Sequence, residues 1–130
     1  MFYKQPVELY ERMGEALLKY TFKMAEWHSY EHVVIVFSSI FDNKKRGILK
    51  QAFKSLIKQM ARTKYALYFH YSKFDLCNQA VDYYGWAIFR KWEREDLRSY
   101  ARVRKLVNTE FAIFNRGTKE FYSYKNDLLD

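Results

Sequence analysis

The chain is poor in the residues that punctuate structure: its 130 residues include one proline, Pro6, and four glycines. Sandwiches and barrels turn often and need Gly, Asn and Pro at those turns. An all-β architecture is therefore disfavoured and a few long elements are expected. The single cysteine, Cys77, excludes an intrachain disulfide and with it a disulfide-stapled secreted domain. Met1–Tyr10 contains Lys4, Gln5 and Glu8 and lacks the apolar core of a secretory signal. No apolar run exceeds the five residues of Val33–Phe37, against the roughly 20 needed to span a bilayer. These absences lead to the expectation of a cytoplasmic chain with no transmembrane segment.

A further absence concerns charge of one sign. Residues 43–74 hold nine basic groups and not one Asp or Glu. Residues 90–105 add seven basic groups against three acids, and the remaining segments are weakly acidic, so the net charge of +8 arises from two stretches. Ordinary helix surfaces mix both signs, because opposite charges four residues apart support the helix and like charges repel. A long stretch without acid implies that its counter-charge comes from outside the chain.

What is plentiful is hydrophobic and aromatic: 49% and 20% of residues, with 12 Tyr and 11 Phe. Rings in such number can fill a core, and those left over mark contact surfaces. Tyr10, Met13, Leu17, Tyr20, Met24 and Trp27 recur at steps of three and four, which predicts a first helix starting near Pro6. Val33–Phe37 is β-branched, but a lone strand has nowhere to place its hydrogen bonds, so the segment is read as a buried helix running to Phe41. Ile48, Leu49, Ala52, Phe53, Leu56, Ile57 and Met60 predict a second long helix, extending through Tyr65–Tyr71. Ser72 and Asp75 have the spacing of a capping box ahead of a helix with Cys77, Ala80, Val81, Tyr84, Ile88 and Trp92 on one face. Asp96 is expected to cap a last long helix through Phe114, ended by Gly117.

The basic residues have a spacing of their own. Lys50, Lys54, Lys58 and Arg62 repeat every fourth position, a single ridge on one helix about 18 Å long at 1.5 Å per residue. Lys44, Lys45 and Arg46 precede the ridge. Arg90, Arg94, Arg98 and Arg102 repeat the interval, with Lys105 adjoining. Two positive ridges on neighbouring helices suit a phosphate backbone, and Tyr65, Tyr68 and Tyr71 could stack on unpaired bases.

Two short strings raise catalytic alternatives. His28-Ser-Tyr-Glu31-His32 matches the H-x-x-E-H string of inverted zinc proteases, in which two His four residues apart on a helix share a metal. The resemblance is confined to those five residues, so His28 and His32 are weak metal candidates. Arg62 and His70 are similar to the Arg–His pair of small all-α ribonucleases of the HEPN type, but lie further apart. Cys77 reads as a buried inert thiol, and Tyr84, Trp27 and Trp92 as core.

The expectation is an all-α bundle of four to five helices over residues 1–117, with a polar, partly ordered tail over 118–130. It is expected to be a non-enzymatic, cofactor-free protein that binds DNA or RNA with little sequence preference. A structural or packaging role, as in small viral chains, would suit it. The alternative is a protein-interaction module, a virion component or inhibitor docking an acidic partner surface. Third is a small metal- or His-dependent hydrolase. A homo-oligomer fits either binding role.

Overall fold

Val33–Phe37 does find a partner. In the computed structural model β1 (His32–Ser38) pairs in parallel with β2 (Lys64–His70), in register from His32 opposite Lys64 to Ser38 opposite His70. The all-α bundle is thus corrected to a mixed α/β fold. The structure describes residues 6–107 and, as backbone alone, strand residues 109–111 and 121–123. The physical reason for the correction is alternation. Tyr65, Leu67 and Phe69 turn inward while Tyr68 and His70 turn outward, the period of two that defines a strand. Parallel strands need a crossover connection, supplied by helix α2 (Asn43–Met60). The supposed helix through Tyr65–Tyr71 ends instead at Met60, where Ala61 is extended.

The chain divides into two compact units, Met1–Asp75 and Leu76–Asp130. The first consists of helix α1 (Pro6–Met24), a 3-10 turn at Trp27–Ser29, the β1–α2–β2 crossover and a 3-10 turn at Ser72–Phe74. Asp42 begins α2 by accepting the Lys45 backbone N–H at 2.9 Å, a cap worth about 1 kcal/mol. Leu49, Phe53 and Ile57, at steps of four, bury the inner face of α2 together with Leu18, Trp27 and Leu67. The Phe53 ring stacks against both strands' rings, 4.7 Å from Phe37 and 6.4 Å from Phe69 between centroids, and the two strand rings lie 5.7 Å from each other. Tyr10 packs edge-on to Phe41 and donates its hydroxyl to the Ser38 carbonyl at 3.0 Å. Burial pushes its phenol pKa up.

On α1 the buried stripe differs from the one expected. Gly14, Leu18 and Tyr20 are buried, whereas Met13, Leu17 and Met24 are exposed. Gly14 and Leu18 stand four residues apart, as Met13 and Leu17 do, so periodicity did not separate them. Gly14 decides: a Cβ there would lie 2.4 Å from the Phe53 ring, so only glycine allows α1 to approach α2 this closely.

The second unit contains helix α3 (Leu76–Arg94), a short helix α4 (Arg98–Val103), a 3-10 turn at Arg104–Leu106, and an antiparallel pair, β3 (Thr109–Phe111) with β4 (Phe121–Ser123). Ala87, Tyr100 and Val103 form its buried cluster, flanked by Tyr84, Ile88 and Val107. The expected last long helix is therefore a single short one followed by strand. Gly117 and most of the 118–130 tail lie outside the described residues. Cys77 and Trp92 are exposed, against the core placement expected for both. Ser72 does not cap α3. Its hydroxyl is 3.0 Å from the Ser38 hydroxyl, and Asp75 takes the His70 ring. Among the described residues no helix is long and apolar enough to cross a membrane.

The glycines supply a paired test of this packing. Gly14→Val should lower the unfolding free energy by about 2–3 kcal/mol, because Phe53 is fully enclosed and overpacking is costly. Gly85→Ala, where a Cβ meets nothing within 4 Å, should raise it by about 0.5–1 kcal/mol. Urea denaturation of the two variants beside the parent chain measures both changes.

Candidate anion-binding surface

With its inner face committed to the Phe37–Phe53–Phe69 stack, α2 presents its outer face to solvent. Lys50, Lys54 and Lys58 stand there at steps of four, spanning about 12 Å. They line an open groove of about 650 Å³ with Gly47, Gln51, Ser55 and Tyr65. Tyr65 forms one wall, its hydroxyl 3.5 Å from the Lys54 carbonyl. Among the described residues none of the three lysines forms an ion pair. Every side chain with a polar atom in the groove can donate a hydrogen bond, and none is an acid. Gln51 and Ser55 had gone unnoticed in the sequence because they carry no charge. Their i+1 offset from Lys50 and Lys54 was the available signal.

The other basic candidates sort into distinct environments. Arg62 leaves the ridge because α2 ends at Met60; it lines a second cleft, of about 940 Å³, with His28, Tyr30, Glu31, His32 and Lys64. Lys44 and Lys45 are exposed in the first turn of α2, where the helix dipole disfavours positive charge. Arg46 is engaged within the fold, donating to the Ser39 hydroxyl at 3.0 Å and to the Asn43 side-chain oxygen. Tyr65 and Tyr68 point to opposite faces of the strand, and Tyr68 stacks on His70 at 5.6 Å. Tyr71 is exposed beyond the strand end. The three tyrosines therefore do not form one stacking row.

The second stripe is broken. Arg90 and Arg94 belong to α3, Arg98 and Arg102 to α4, and Lys105 to the turn after it. Between the helices Glu95 adopts a left-handed conformation, φ 52°. The reversal brings the Asp96 carboxylate to both arginines: Arg90 Nε donates to Oδ2 at 3.0 Å and Arg98 Nε to Oδ1 at 3.1 Å. Arg90 also lies over the Trp86 ring at 5.0 Å. Two of the four arginines thus have their counter-charge within the fold. Arg94, Arg102 and Lys105 are exposed. The two stripes lie in different units.

The catalytic strings do not take up the geometry their chemistry needs. His28 is on a 3-10 turn and His32 is the first residue of β1, so the two imidazoles do not share a helix face. Among the described residues no three His, Cys, Asp or Glu side chains gather where they could hold a metal ion. Arg62 precedes β2 and His70 ends it, which separates them by about 20 Å of extended strand. His70 Nδ1 instead meets Asp75 Oδ2 at 2.7 Å.

Asp96 makes the second unit sensitive to acid. Side-chain hydrogen bonds from Arg98, then Arg90, then the Arg98 backbone N–H hold its carboxyl well below the usual carboxylate range. A depressed folded-state pKa contributes stability that is present above about pH 3.9, the ordinary Asp value, and is lost as pH falls toward the folded value. Thermal unfolding of the parent chain from neutral pH to about pH 2 should show this loss. Asp96→Asn should melt lower at neutral pH, with the gap between the two chains closing as the solution is acidified.

No protein-family model, curated protein or solved structure matches this chain.

Proposed function

We propose that the first unit binds a polyanion, most simply the phosphate backbone of a nucleic acid, along the α2 groove. The observation that carries this reading is the row Lys50, Lys54, Lys58 in one open groove, flanked by side chains that can donate hydrogen bonds and lacking an acid partner among the described residues. Lysine presents a point charge on a flexible stem and reads no base edge. Binding of this kind is strong at low salt, steeply salt-dependent and indifferent to sequence. Tyr65, on the groove wall, offers a ring face beside the phosphates.

A second reading rests on α3. Tyr83, Trp86, Phe89 and Trp92 are all exposed, with Trp86 at 47%, and the Tyr83 and Trp86 rings lie 6.3 Å apart. Large aromatics on a surface are typical anchors of a protein interface. This favours an interaction module in which the charges raise the association rate.

Titration of labelled single-stranded DNA, double-stranded DNA and RNA over a salt series separates the readings. The parent chain should bind with a log–log salt slope of about −2 to −3 for three phosphate contacts. Lys50→Gln/Lys54→Gln/Lys58→Gln should flatten the slope and weaken binding by at least about tenfold at low salt. Trp86→Ala should leave both unchanged. Absence of binding by the folded parent at low salt would overturn the polyanion reading and leave the aromatic surface of α3 as the lead.

A further inference from the structure

Past the C-terminal end of α2 lies the cleft of Arg62, Lys64, His28, His32, Glu31 and Tyr30. Lys58 and Tyr65 line the groove, Arg62 and Lys64 line the cleft, and one turn of chain connects them.

The cleft is built on anchored backbone. Thr63 Oγ1 donates to the Trp27 carbonyl at 3.4 Å, tying the turn that carries Arg62 and Lys64 to the one that carries His28. Trp27 is itself buried, and the Ala61 N–H donates to the Ile57 carbonyl at 2.8 Å. His32 and Lys64 are register partners at the start of the sheet, so their Cα atoms lie about 4.8 Å apart and both side chains leave the same face. A cation opposite an imidazole that can become one is an unfavourable cross-strand pair. Among the described residues none of His28, His32, Arg62 and Lys64 makes a hydrogen bond or ion pair through its side chain.

We infer that this cleft is a second phosphate site, with a grip on a nucleic-acid backbone that tightens as its two imidazoles take up protons. The inference rests on the polyanion reading of the groove. The charge count shows the size of the switch. Arg62 and Lys64 against Glu31 leave +1 with both imidazoles neutral, and +3 with both protonated. Imidazole is the side chain that makes this change between pH 8 and pH 5, and each protonated ring offers a charge-assisted hydrogen bond to phosphate oxygen. Glu31 is the acid lining the cleft, and Tyr30 lines it too. The third histidine, His70, ends β2 beside Asp75 and does not line the cleft.

The test is the affinity of rhodamine-labelled single-stranded DNA at about pH 7.5 and about pH 5.5, values that bracket imidazole protonation, at one salt concentration. The folded state is confirmed by circular dichroism at both values. The parent chain should bind on the order of tenfold more tightly at the lower pH. His28→Gln/His32→Gln, at two exposed positions, should match the parent at the higher pH and lose the increment. The groove triple variant should weaken at both values and keep the increment. An increment that survives in the double-histidine variant overturns the inference. So does its absence from a parent chain that still binds, which leaves the groove reading intact. A parent chain that binds at neither pH, even at low salt, sinks the groove reading and this inference with it.

Discussion

The first unit is organised by one cluster: the Phe53 ring stacked against Phe37 and Phe69 and seated against Gly14. Each of its four sides comes from a different element. Phe37 and Phe69 contribute the two strands, Phe53 the crossover helix, and Gly14 the first helix. Removing such a ring costs about 3–5 kcal/mol, a large share of the total stability of a small domain. The cluster also sets orientation. With Leu49, Phe53 and Ile57 facing the sheet, the lysine that directly follows each of them is turned by about 100° away from the core face.

That orientation carries an electrostatic cost. Like charges four residues apart destabilise a helix by about 0.2–0.5 kcal/mol per pair, and α2 has three such pairs, Arg46–Lys50, Lys50–Lys54 and Lys54–Lys58. Lys44 and Lys45 add an unfavourable dipole interaction of about 0.3–1 kcal/mol each. The total is about 1–3.5 kcal/mol, small enough for the core to tolerate and of a kind that a bound anion would offset. The cations of the second unit behave differently. Arg90 and Arg98 share Asp96, and Lys91 is buried over the Tyr100 ring at 3.9 Å. A run of positive charge therefore does not by itself amount to capacity for an outside ligand. What separates them is whether an acid is within reach, and in residues 43–74 none exists to be reached.

Much of the candidate site was legible from spacing. Lys50, Lys54 and Lys58 were placed on one ridge because four-residue intervals align side chains on any α-helix, whatever packs behind it. Arg62 fitted the same arithmetic and fell off the ridge, because the helix stops at Met60 to let Lys64–His70 join the sheet. The strands themselves were missed for a physical reason: parallel pairing is a non-local contact between segments separated by a whole helix. Val33–Phe37 alone does not reveal its partner, and the alternation of Tyr65, Leu67 and Phe69 overlaps a helical reading over so short a run.

Composition and spacing by themselves determined the absence of acid through residues 43–74, the amphipathic character of α2, and a chain without long apolar runs, since these depend only on which residues are present and how far apart they stand. The tertiary structure alone decided which of two equally periodic stripes on α1 is buried, because only Gly14 fits the Phe53 ring. It alone separated engaged arginines from unengaged lysines, because partnership depends on where Glu95 turns the chain and brings Asp96. And it alone gathered His28, His32, Arg62 and Lys64 at one cleft, because the parallel register sets the starts of two distant strands side by side.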